Sequence, residues 1–103
     1  MRLGIVVTDE AFGAHVVGLL DAVAARGWQA QCFLTDSGVN LLGDPAFVER
    51  ARAHPGTVSV CEHSVEGVAE GRFRREAFDG AVVFGGQYQN AQLANACERV
   101  LVF

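Results

Sequence analysis

Apolar and amphipathic stretches alternate along the chain, and their periods assign an element to nearly every segment. Residues 2–7 (RLGIVV) form a continuous apolar run that predicts a strand, and residues 28–34 (WQAQCFL) and 57–60 predict two more. Between the first two, residues 11–26 carry Val16, Val17, Leu20, Val23 and Ala24 at helical spacing, and Gly27 supplies a C-terminal stop. Residues 36–44 read as a polar turn region apart from Leu41 and Leu42. Pro45 suits the first position of a helix running through residues 46–54, with Asp44 as its N-cap. Residues 62–70 are compatible with a helix that Gly67 and Gly71 weaken. Residues 80–84 (GAVVF) predict a fourth strand, 89–97 a short helix, and 99–103 (RVLVF) a fifth strand.

Continuously apolar strands separated by helices require a parallel sheet covered on both faces. The expected fold is therefore α/β, a three-layer α/β/α sandwich with five parallel strands, in one domain over residues 1–103. Ligands of such sheets meet the carboxyl ends of the strands. That places the informative loops at residues 8–13, 35–40, 61–64 and 85–90.

Composition narrows the chemistry. Half of the 103 residues are hydrophobic, a high share for so short a chain, which suggests a surface buried by a partner subunit. The formal charge of −4 speaks against nucleic acid or anionic lipid as a partner. All eight basic residues are arginine, so Schiff-base chemistry and a phosphate-loop lysine are excluded. No run approaches the ~20 apolar residues of a membrane span, and the N-terminus reads as a strand and not as a signal peptide. Three sparse cysteines, Cys32, Cys61 and Cys97, argue for a reducing cytoplasm and against a disulfide scaffold.

The loop after the first strand, with Thr8, Asp9 and Glu10, holds two carboxylates and no G-x-G-x-x-G, so a dinucleotide or flavin phosphate is not expected there. A receiver domain would place an aspartate at the end of the third strand, where this chain has Cys61. Cys61 and His63 have no second ligand pair at zinc spacing, so no metal is expected. His15 and His54 read as a solvated side chain and a helix C-terminal imidazole. Gly85, Gly86, Gln87 and Tyr88 permit a tight turn and offer hydrogen-bond donors at the edge where Cys61 lies; a plain strand-to-helix turn fits them equally.

Cys61 itself admits two readings. At a helix N-terminus its sulfur would meet unpaired N–H groups that favour the nucleophilic thiolate, with His63 as a possible assistant and Glu62 opposing. A lone cysteine at a strand end reads first as an inert apolar plug, and position alone does not settle the choice. Cys32, inside a strand beside Phe33 and Leu34, and Cys97, against the last strand, read as packing.

The opening strand and helix (RLGIVVTDEAFGAHVVGLLDAVAARGWQAQCFLTDSGV), the VSVCEHS segment and the closing QLANACERVLVF together resemble the DsrE/DsrF-like sulfur-relay family, which includes TusBCD-type subunits. The resemblance runs over essentially the whole chain. It implies an α/β/α fold and a homo-oligomer, trimer or hexamer, or a hetero-oligomer with related subunits. It also implies a persulfide-carrying cysteine after the third strand, which here is Cys61, exchanging sulfur with donor and acceptor proteins and needing no cofactor. Members of the family that lack the cysteine serve as structural or regulatory subunits, so a non-catalytic oligomeric role is the alternative.

Overall fold

Strand and helix alternate as the hydrophobic pattern requires throughout residues 1–103, all of which a computed structural model describes. The strands are β1 (Arg2–Val7), β2 (Gln29–Leu34), β3 (Val58–Cys61), β4 (Val82–Gly85) and β5 (Arg99–Val102). The α-helices are α1 (Gly13–Ala25), α2 (Pro45–Ala53), α3 (Glu62–Val68) and α4 (Gln87–Ala96). Three 3₁₀ segments, Glu10–Phe12, Asp36–Gly43 and Arg75–Phe78, complete the chain.

All strand pairs are parallel, in the order β4-β3-β2-β1-β5. This order fixes the layers. From β1 to β4 the chain steps one way across the sheet, and right-handed crossovers leave α1, α2 and α3 on one face. The return from β4 to β5 passes back over β1, so α4 takes the other face. Side chains obey the period of two. Ile5, Val7, Cys32, Leu34, Val58 and Val60 face α1 and α2 and join Val16, Val23, Phe47 and Ala51 in the larger core. Val6, Phe33 and Cys61 point the opposite way and meet Leu93 of α4 in a smaller cluster. Gly4 makes that approach possible, since a Cβ there would lie 2.5 Å from the Leu93 Cδ2 atom.

Local chemistry explains most element boundaries. Asp9 accepts from the Ala11 N–H at 2.9 Å, so the first helical turn is a tight 3₁₀ turn before α1. Asp44 caps α2 as expected, accepting from the Ala46 N–H at 3.0 Å, with Pro45 at the first position. Helix α4 starts two residues before the expected Gln89. Gly86 is its N-cap, and the Gln89 carbonyl Oε1 turns back to accept from the Gly86 N–H at 2.7 Å.

The three-layer α/β/α architecture is as expected; one segment differs from its expectation, and the layers are unequal. The polar turn region of residues 36–44 is a 3₁₀ segment with Val39, Leu41 and Leu42 all in the larger core. Its apolar residues are too few and too irregular to show a period, and tertiary packing alone decides their burial. The sheet is also not covered evenly on both faces. One polar helix, α4, spans the second face and buries only Leu93, leaving Val83, Val100 and Val102 exposed.

Candidate functional site

Five chain segments end together at the carboxyl edge of the sheet. Across the edge they run Gly85, Cys61, Thr35, Thr8 and Phe103, in the order that the strand pairing dictates. Cys61 is both the last residue of β3 and the N-cap of α3, with extended backbone at φ −78° and ψ 111°. The strand therefore runs one residue beyond the 57–60 boundary suggested by the β-branched run, because Cys61 pairs with Gly85.

That register turns the Cys61 side chain toward α4. Val6, Phe33 and Leu93 cover it from below, and the residue is only 6% exposed. The sequence left open whether Cys61 is a reactive thiol or an apolar plug; the period of two directs position 61 inward, so its apolar neighbours cover it. The other side of the sulfur is polar. The backbone N–H groups of His63 and Ser64, the Ser64 hydroxyl and the Gln87 side chain all face it. None closes a full capping hydrogen bond on it.

These surroundings set the acidity of the thiol. Desolvation by its covering neighbours is the largest single influence and pushes the pKa up. The Ser64 hydroxyl, the N–H groups of Ser64 and His63, and the Gln87 side chain pull it down, and together they prevail, leaving Cys61 below the ordinary thiol value. The other cysteines behave differently. Burial pushes Cys32 up to about 12, and Cys97, half-buried at the C-cap of α4, is also raised by desolvation despite the nearby Arg2. All three are free.

The Cys32 shift has a direct consequence for alkaline stability. Its folded pKa stands above the ordinary 9.0, so the fold favours the neutral thiol. That contribution is intact below pH ~9 and is lost as pH rises toward ~12, at about 1.4 kcal/mol per pH unit while only the unfolded chain ionises. Cys32→Ala is expected to remove this part of the alkaline slope. Urea unfolding at about pH 8 and pH 10 measures it, and an unchanged slope in the variant would assign the alkaline loss to other groups.

Of the remaining expected site residues, the structure brings only some to the sulfur. His63 contributes its backbone N–H, while its side chain is exposed. Glu62, expected to oppose the thiolate, is engaged by Arg75 at 3.0 Å, which offsets its charge. Gly85 and Gly86 carry the chain from β4 into α4 and deliver Gln87. Tyr88 turns outward, 69% exposed, and its phenol oxygen accepts from Gln92 Nε2 at 3.2 Å. Thr8 and Asp9 lie at the edge but serve local structure. The Thr8 hydroxyl donates to the Phe103 carbonyl at 2.9 Å, and Asp9 caps the first turn. No three His, Cys, Asp or Glu side chains converge as a metal site would require.

Two residues that matter here carried little sequence signal. Thr35 and Ser64 lie 3.2 Å apart, hydroxyl to hydroxyl, joining the loop after β2 to α3. The Asp36 N–H also donates to Ser64 Oγ at 3.0 Å. Asp36 reaches that position at φ +49°, the one non-glycine residue in the left-handed region, a conformation that aspartate tolerates better than most. The Asp-Ser-Gly run is the only trace of this in the sequence.

No helix is long and apolar enough to cross a membrane. No family model matches the chain, and no curated protein matches it either.

Proposed function

We propose that this protein is a DsrE-like sulfur carrier that accepts persulfide sulfur on Cys61 and passes it to a partner protein. One observation carries the reading: Cys61 alone among the three cysteines has its pKa lowered, and it does so at the sheet edge where parallel α/β folds meet their ligands. The step is a thiol–persulfide exchange. The Cys61 thiolate attacks the outer sulfur of a donor persulfide, a new S–S bond forms at Cys61, the donor's own S–S bond breaks, and the donor leaves as thiolate. In the second half an acceptor thiolate repeats the attack on Cys61–S–SH and Cys61 returns to thiolate. No oxidant, metal or nucleotide enters the balance.

Access is the demanding part of this reading. Gln87, one of the polar groups that lower the Cys61 pKa, is exposed at the first turn of α4. The test is incubation of the reduced protein with a persulfide donor, followed by peptide mass spectrometry. The peptide containing Cys61 should gain the mass of one sulfur; sulfur on no peptide, or only on the Cys97 peptide, rejects the carrier role.

A second reading, a non-catalytic subunit of an oligomer, draws on β5. This edge strand exposes apolar side chains on both faces, with Val100 and Leu101 partly open and Val102 67% exposed, and it lacks the proline or inward charge that usually blunts a sheet edge. Self-association through β5 is compatible with sulfur transfer and also sufficient without it. Val102→Lys is expected to shift the protein toward monomer by at least tenfold in dissociation constant. Sedimentation equilibrium decides, and identical mass distributions for both proteins would clear β5 of any part in assembly. The three free cysteines fit a reducing compartment such as the cytoplasm.

A further inference from the structure

Between α1 and α2, at the amino ends of β2 and β3, the chain encloses a cavity of about 350 Å³. Three alanines leave the space, one from each surrounding element: Ala24 in α1, Ala30 in β2 and Ala51 in α2. Ala30 pairs with Leu3 and shares its side-chain direction, toward the two helices. A methyl group there cannot reach across to α1 or α2. Val23 and Val58 add buried apolar surface. Trp28, the one tryptophan of the chain, forms a half-buried wall, with the Arg26 guanidinium 5.4 Å from its ring centroid.

The charges around this cavity are already matched. Arg50 donates to both Asp21 carboxylate oxygens, at 3.1 and 3.0 Å, and its third nitrogen donates to the Ala46 carbonyl at 3.0 Å. An anionic ligand would therefore meet a guanidinium that is neutralised and engaged. Thr57 has given its hydroxyl proton to the His54 carbonyl at 2.7 Å, so its oxygen is left to accept a donor from a ligand. Volume sets the size. A dry cavity of ~150 Å³ already holds benzene, and small-molecule sites begin near ~300 Å³, so two fused rings fit here and a nucleotide does not. We propose that the cavity between α1 and α2 binds a small uncharged bicyclic aromatic molecule carrying one hydroxyl, with its rings among Trp28, Val23 and Val58 and its hydroxyl at Thr57. The site lies at the opposite end of β3 from Cys61 and owes nothing to the sulfur chemistry proposed there.

Isothermal titration calorimetry of the full chain with 2-naphthol, uncharged near neutral pH, tests the site. One equivalent should bind, and 2-naphthoate should bind about tenfold more weakly, because nothing free in the cavity offsets the burial of its charge. Ala30→Leu fills the space and should weaken 2-naphthol by about tenfold or more. Should that variant not fold, Ala24→Leu, at an exposed position of α1, replaces it with the same expected loss. Asp21→Asn releases Arg50 and should erase the preference for 2-naphthol over 2-naphthoate. Absence of binding to the wild type overturns the site, as does unchanged affinity in a folded variant with the cavity filled. Equal affinity of the wild type for the two probes, or a preference that survives Asp21→Asn, overturns the assignment of an uncharged ligand.

Discussion

Cys61→Ser is expected to abolish sulfur uptake while leaving the fold in place. The oxygen is smaller than the sulfur but sits in the same surroundings, with Val6, Phe33 and Leu93 below and the Ser64 and His63 N–H groups beside it. An apolar contact is lost and a serviceable N-cap oxygen is gained, so the net stability change is within about 1 kcal/mol. Chemically the change is complete, because a serine hydroxyl is not ionised near neutral pH and its oxygen forms no persulfide. Cys32→Ala and Cys97→Ser should load as well as the wild type, since both thiols are held protonated by desolvation. The measurement is the sulfur-mass gain per chain, with circular dichroism to confirm folding. Wild-type loading in Cys61→Ser would remove the proposed site outright.

Gly38→Ala is the substitution with the largest expected effect on stability. A Cβ at position 38 would lie 2.1 Å from the Val7 carbonyl oxygen and 2.7 Å from its carbon, both backbone atoms of a central strand. Neither can turn aside, so the 3₁₀ segment Asp36–Gly43 must lift away from β1. That segment contributes Val39, Leu41 and Leu42 to the core, and displacing it should cost about 3 kcal/mol, a large part of the ~5–15 kcal/mol that holds a small domain together. Gly18→Ala is the matched control. Gly18 lies in α1 with open space around its Cβ position, so alanine there is expected to stabilise by ~0.5–1 kcal/mol through helix propensity. Urea midpoints of the two variants should move in opposite directions. If Gly38→Ala unfolds at the wild-type midpoint, the close approach of the loop to β1 is wrong.

The site was legible in part. Cys61 could be placed at the carboxyl edge because strand ends follow from where an apolar run stops, and its N-cap position follows from a helix starting at Glu62. The three cysteines could also be told apart, since Cys32 falls in the middle of a strand. Ser64 and Thr35 could not be connected, because they are 29 residues apart and each is an ordinary polar residue in its own segment. Asp36 gave no warning of its left-handed backbone beyond the small polar residues around it. Gln87 was recognisable as an edge residue, but its selection over Tyr88 depends on where α4 begins, and the Gln89 side chain sets that point by bonding the Gly86 N–H.

Sequence by itself determined what is local: the α/β alternation, the parallel sheet, the caps at Asp44 and Pro45, and the absence of lysine chemistry. These depend on period, propensity and residue identity over a few positions, all of which can be read along a line. Tertiary structure alone decided the strand order, the single polar helix over the second face, the exposed edge at β5 and the covering of Cys61. Each of these depends on which distant segments come into contact, and packing free energy between remote residues leaves no periodic mark on either partner. The acidity of one sulfur belongs to this second group, since it is the difference between burial by one set of neighbours and hydrogen bonding by another.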